Sequence, residues 1–144
     1  MQRVYGHVVV SATLLLLISG LAYYFAAPLN WGAGEAVLLG HMYAGAVFAL
    51  YMILALPTHY RTHIQRIRNR LFLANSWNLT LLLLLVILSG AAHFLPYLSY
   101  FTDKVFYYRF ETYDLLSAIH LLSAAAMGAA LIMHLKLSYS KDPS

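Results

Sequence analysis

The chain has 144 residues, of which 62% are hydrophobic and only 10% charged, with a formal charge of +4 and no cysteine. About a quarter of an ordinary soluble domain is charged, so this composition excludes that class. Without cysteine there is no thiolate-held iron–sulfur cluster, covalently attached c-type haem or disulfide, and any redox group must be held by histidine or methionine.

Four apolar runs are long enough to cross a bilayer, at about residues 4–25, 36–56, 71–95 and 114–137. The first is too long for the core of a signal peptide, and no small-residue cleavage site precedes a soluble domain. The expected fold is therefore all-α: one integral membrane four-helix bundle. Arg61, Arg66, Arg68 and Arg70 crowd the second connection, and Arg3, Lys136 and Lys141 flank the termini. The first connection has no Lys or Arg, which by the positive-inside rule places both termini and the second connection in the cytoplasm. The basic excess is a topology signal, and no nucleic-acid partner is expected.

The first span opens with Arg3 and His7 near the cytoplasmic face, and ends at Tyr23 and Tyr24 in the outer interface. Pro28, Asn30, Gly32 and Gly34 then predict a short outer turn. The second span, beginning at Glu35, meets His41 within two turns, and Gly45 one turn later clears space beside it. Pro57 is expected to end or kink this helix, and THYRTHIQRIRNR follows as a basic cytoplasmic stretch. The third span repeats the flavour of the first: TLLLLISG in one and TLLLLLVILSG in the other, each followed by a span with an early histidine. That is a trace of a duplicated two-helix unit. His63 is expected in solvent and His93 at the outer interface. The connection after His93 is long, rich in Tyr and Phe, and expected to lie along the outer surface.

The fourth span carries His120 and His134, fourteen positions apart. On a helix their rings are about 21 Å apart along the axis and about 40° apart in azimuth, one near each membrane face on one side of the helix. The run 123–130 between them is rich in Ala and Gly. An ionisable residue inside a membrane marks a functional site. Matching by depth pairs His7 with His134 on the inner side and His41 with His120 on the outer side. Two stacked bis-histidine haems fit this set, with Gly6, Ala44, Gly45 and the 123–130 run giving the porphyrins room. His59 lies eighteen residues beyond His41, on the same face and about 27 Å away, and is the alternative inner ligand if the helix continues past Pro57. Arg3, Arg61 and Lys136 are candidates for pairing haem propionates. Two other classes compete: a transporter whose histidines bind a transition metal or relay protons, and a purely structural membrane anchor.

Arg3 and His7 with Ser19-Gly20-Leu21, His41-x-x-x-Gly45, and His120 with His134 resemble the diheme cytochrome b subunit of membrane-bound formate dehydrogenases. The cytochrome b subunits of nickel–iron hydrogenases and bacterial cytochrome b561 are its relatives. The resemblance extends over all four spans, the fourth being its most specific part. It implies two b-type haems in a prokaryotic cytoplasmic (inner) membrane. Electrons would pass between a quinone or menaquinone pool and an outer-face subunit of a respiratory complex, a periplasmic iron–sulfur or multihaem cytochrome protein docked on residues 96–113. This chain departs from the family in placing Arg3 four positions before His7 where three is usual, and in having Val8 where an aromatic is usual. The family's asparagine-containing quinone loop is matched only loosely, by Asn69 and Asn75.

Overall fold

The computed structural model describes residues 2–63, 70–100 and 102–139. Four long helices account for most of them: α1 Gln2–Ala26, α2 Trp31–His63, α3 Arg70–Phe94 and α4 Phe110–Tyr139, and there is no strand among the described residues. All four contain a stretch long and apolar enough to cross a membrane: Gly6–Ala26, Trp31–Arg61, Arg70–Phe94 and Phe110–Ser138. Leu14, Leu15 and Ile18 on α1, and Leu81, Leu84 and Leu88 on α3, face outward. Such a surface is at home in hydrocarbon, where a helix satisfies its own backbone polar groups.

The chain divides into two units, residues 1–73 and 74–144, each built around one helical hairpin. In the first hairpin α1 turns into α2 through residues 27–30. Asn30 caps α2: its Oδ1 accepts the Ala33 N–H (3.1 Å) and its carbonyl accepts the Gly34 N–H (2.9 Å). Gly34 passes so close to the turn that a Cβ on it would lie 2.6 Å from the Ala27 Cα. Only glycine fits there. The turn is thus shorter than the Pro28–Gly34 span read from the sequence. Gly32 and Gly34 belong to the first helical turn, and α2 starts at Trp31 rather than Glu35.

Pro57 does not end α2, which runs through it to His63. A proline removes one N–H and crowds the preceding turn, but here the helix persists on both sides. The condition attached to His59 is therefore met, as His41 and His59 share one continuous helix.

In the second hairpin α3 is followed by a 3₁₀ turn, Leu95–Tyr100, and an irregular return to Phe110. The connection is ordered by its own polar groups. The Ser99 hydroxyl oxygen accepts the Phe106 N–H (2.7 Å), Thr102 donates to the Leu98 carbonyl (3.0 Å), and Tyr108 donates to the Ala92 carbonyl at the end of α3 (3.2 Å). Between the two limbs lies a shallow open cleft of about 200 Å³ lined by Leu95, Pro96, Val105, Phe106, Tyr107 and Tyr108. Helix α4 begins four residues earlier than the apolar run suggests, so Tyr113 is a helical residue.

A repeated serine–glycine–histidine cluster

Each hairpin sets one histidine against a Ser-Gly pair on the preceding helix. In the first, His41 Nδ1 lies 2.8 Å from Ser19 Oγ, and a Cβ on Gly20 would come within 3.3 Å of His41 Cε1. In the second, His120 Nδ1 lies 3.0 Å from Ser89 Oγ, and a Cβ on Gly90 would come within 3.2 Å of His120 Cε1. The same four groups meet in the same way, twice.

The serine protons are committed to backbone. Ser19 donates to the Leu16 carbonyl (3.1 Å), and Ser89 donates to the Leu85 carbonyl (2.7 Å) with Val86 close by (3.2 Å). Such back-bonding is how a hydroxyl is satisfied inside an apolar helix. A serine has one proton, and when it goes to the backbone the hydroxyl oxygen accepts from a histidine that carries its proton on Nδ1. With the proton on Nδ1, the lone pair of the neutral ring resides on Nε2, the arrangement in which a histidine serves as a metal ligand oriented from behind.

The likeness extends along the helices. His41 and His120 are each the eleventh residue of their helix, about 15 Å from its N-terminal end. Seven residues after each lies a buried core side chain, Phe48 (9% exposed) or Met127 (7%). Six residues before each Ser-Gly pair lies another, Thr13 (3%) or Leu83 (7%). The duplication traced in the leucine runs is thus a duplication of hairpins, aligned on Ser-Gly. In that alignment Thr13 matches Leu83, not Thr80.

The glycine that makes room for His41 is Gly20, across the hairpin, rather than Gly45. A Cβ on Gly45 would meet only Leu16, at 3.9 Å, and one on Gly6 would meet nothing within 4 Å. On the inner side, His134 Nδ1 stands 3.4 Å from Ser76 Oγ, a longer contact than the outer pair make. His7 is exposed, five residues from the start of α1, as His134 is five from the end of α4. His59 and Arg61 on α2 and Lys136 on α4 are exposed. Arg3 and His63 are helical. Asn69 lies outside the described residues. Asn75 is buried in the second hairpin, where its amide donates to the Ala130 carbonyl of α4 (3.1 Å), a tie between α3 and α4.

His93, in the last turn of α3, packs against α4. Its ring centroid is 5.0 Å from that of Tyr113 and 6.0 Å from that of His120, and its Nε2 is 3.4 Å from Ser117 Oγ. Its Nδ1 is buried without a hydrogen-bond partner. The serine behind each outer histidine is what sequence reasoning missed. The signal was present in the shared SG dipeptides, which end both leucine runs.

Among the described residues, no three His, Cys, Asp or Glu side chains cluster as the ligands of a metal ion would. Haem brings four nitrogens of its own and asks the protein only for axial ligands. The donor chemistry here, single imidazoles with the lone pair on Nε2 beside glycines, fits that demand, and the lack of cysteine fits a b-type rather than a c-type group.

Fold and composition define an all-α chain with four helices able to span a membrane, the hallmark of a multi-pass membrane protein. No family model, curated protein or solved structure matches it.

Proposed function

We propose that this protein is a diheme b-type cytochrome, the membrane-embedded electron-transfer subunit of a respiratory complex. The observation that carries the reading is the repeated cluster: two hairpins each present one imidazole, at the same position in its helix, with a serine hydroxyl against its Nδ1. His41 and His120 are the axial ligands of an outer haem. His7 and His134 hold an inner one, with His59, on the extended α2, as the alternative to His7. Haem, when bound, supplies a one-electron carrier, and two axial imidazoles leave no open position for oxygen or substrate at the iron. The chain's own part is to hold the imidazoles, keep water out with apolar helices, and separate the two sites by about 21 Å along α4.

Quinone or menaquinone is the proposed exchangeable substrate. The proposed setting is a prokaryotic inner membrane with both termini cytoplasmic, supported by the arginines of the second connection. The connection over residues 96–113 is the proposed docking surface for a periplasmic iron–sulfur or multihaem cytochrome subunit. Its support is an ordered backbone carrying exposed Phe106, Tyr107 and Phe110 with Asp103, Lys104, Arg109 and Glu111 of both signs. Such a mixture suits a specific protein interface.

A reduced-minus-oxidised spectrum and a pyridine haemochrome assay on the purified protein test the reading. The expected result is a sharp low-spin b-type band and about two haems per chain, one for each pair of axial imidazoles. No haem, with zinc or copper bound instead, would replace it with the transporter reading. Cross-linking tests the partner, and a partner bound only at the arginine-rich connection would overturn that assignment.

A further inference from the structure

We infer that Ser19 and Ser89 are paired positioning residues, each setting the orientation and donor strength of one haem-ligating imidazole. The inference rests on the haem reading above and adds to it two residues that do not touch iron. Its basis is geometric. Each serine stands behind the Nδ1 of its histidine, at 2.8 Å for His41 and 3.0 Å for His120, and gives its own proton to the backbone of its own helix. The hydroxyl oxygen is thus locked as an acceptor, on a rigid helix, in a place where no rotation toward water competes.

An acceptor behind a ligating imidazole has two effects. It fixes the plane of the ring, and by drawing on the Nδ1–H it makes Nε2 a stronger donor. A stronger donor favours ferric over ferrous iron, so the serines lower the reduction potential of the haem they serve. Gly20 and Gly90 complete the device from the side. Each lies next to its serine in sequence and brings bare backbone against Cε1 of the same ring, at distances where a Cβ would force the imidazole aside. Backbone and hydrogen bond thus meet the same Nδ1–Cε1 edge of the ring and together limit its rotation. The Ser76 contact to His134 is longer, 3.4 Å, and makes a weaker clamp.

The test uses the full-length protein in detergent or nanodiscs, with Ser19→Ala and Ser89→Ala measured by potentiometric titration and electron paramagnetic resonance. Each variant should keep its haem content and raise the midpoint potential of the haem that is lost in the matching His41→Ala or His120→Ala variant. The same haem should show altered g-values as its ligand planes relax, while the other haem stays unchanged. Ser→Thr, which keeps the hydroxyl, should restore wild-type values. If an alanine variant does not accumulate, Ser→Cys, with a weaker acceptor of similar size, should give a smaller shift in the same direction. Unmoved potentials and g-values in both alanine variants would overturn the inference while leaving the haem reading standing. So would equal shifts in the Thr variants, which would mark a packing effect. A wild-type protein without haem would remove both, and the haemochrome assay shows which has failed.

Discussion

The two hairpins share one internal plan and differ in what is added to it. Each has a Ser-Gly pair facing a histidine and a buried side chain seven residues further on. The first closes through a four-residue turn, 27–30, capped by Asn30, and the second through a fifteen-residue connection, 95–109. Four residues after Ser19 the first has Tyr23, whereas four after Ser89 the second has His93, packed on His120 and Tyr113. The second also ties its helices together with Asn75 to Ala130. The shared part is the cluster proposed to hold a cofactor. The additions sit in the connection between α3 and α4 and in the contact between those helices.

The largest effect expected is loss of a cofactor. If the two clusters are equivalent, His41→Ala and His120→Ala should each remove the same single haem, halving the haemochrome yield. His7→Ala and His134→Ala should each remove the other. Loss of different haems from His41→Ala and His120→Ala would break the equivalence. Retention of both in His7→Ala with loss in His59→Ala would move the inner ligand to α2.

Glycine substitution should come next. A Cβ at Gly20 or Gly90 crowds the imidazole by a few tenths of an ångström, and overpacking of this kind costs about 1–3 kcal/mol. Gly20→Ala and Gly90→Ala should therefore lower the thermal midpoint in detergent and the occupancy of the outer haem. Gly6→Ala and Gly45→Ala should do neither. A stronger effect from Gly45 than from Gly20 would mean that the histidine is packed otherwise.

Asn75→Leu removes one interhelical tie from the second hairpin. Such hydrogen bonds in membrane proteins contribute about 0.6 kcal/mol on average, so a small drop in stability with no change in binding of an added quinone analogue is expected. Loss of analogue binding with stability intact would instead support Asn75 as part of the proposed quinone site. The smallest effect should come from His93→Phe, which keeps an aromatic ring beside Tyr113 and removes a buried nitrogen that has no partner. An unpaired buried polar group costs about 1–3 kcal/mol, so the variant should be as stable as the parent or more so. Marked destabilisation, read from the thermal midpoint, would show that His93 gains from the Ser117 contact more than its orphaned nitrogen costs.

Four spanning helices were legible in the sequence because that property depends on composition and length alone. So was the spacing of the candidate histidines along each helix, since a helix converts sequence distance directly into axial distance. The duplication was half legible. TLLLLISG and TLLLLLVILSG look alike through their leucines, but most of those leucines are exposed, a surface that many residues could fill. The alignment that counts runs through Ser-Gly, because only there does a residue on one helix meet a specific residue on the next.

What the sequence determined by itself, then, is membrane character, helix count and the rarity of the polar groups: apolar residues must leave water, and buried histidines need a reason. Only the tertiary structure decided which glycine lies against which imidazole, that α2 continues through Pro57, and that His93 packs on Tyr113. It also decided which oxygen stands against Nδ1 of His41 and of His120. That depends on a serine whose hydroxyl has already given its one proton to its own helix, and on a hairpin register that sets this oxygen 2.8 or 3.0 Å from a ring twenty-two or thirty-one residues away. Spacing along one helix sets height and azimuth. Contact across two helices depends on how the turn between them closes, and no pattern within either helix carries that information.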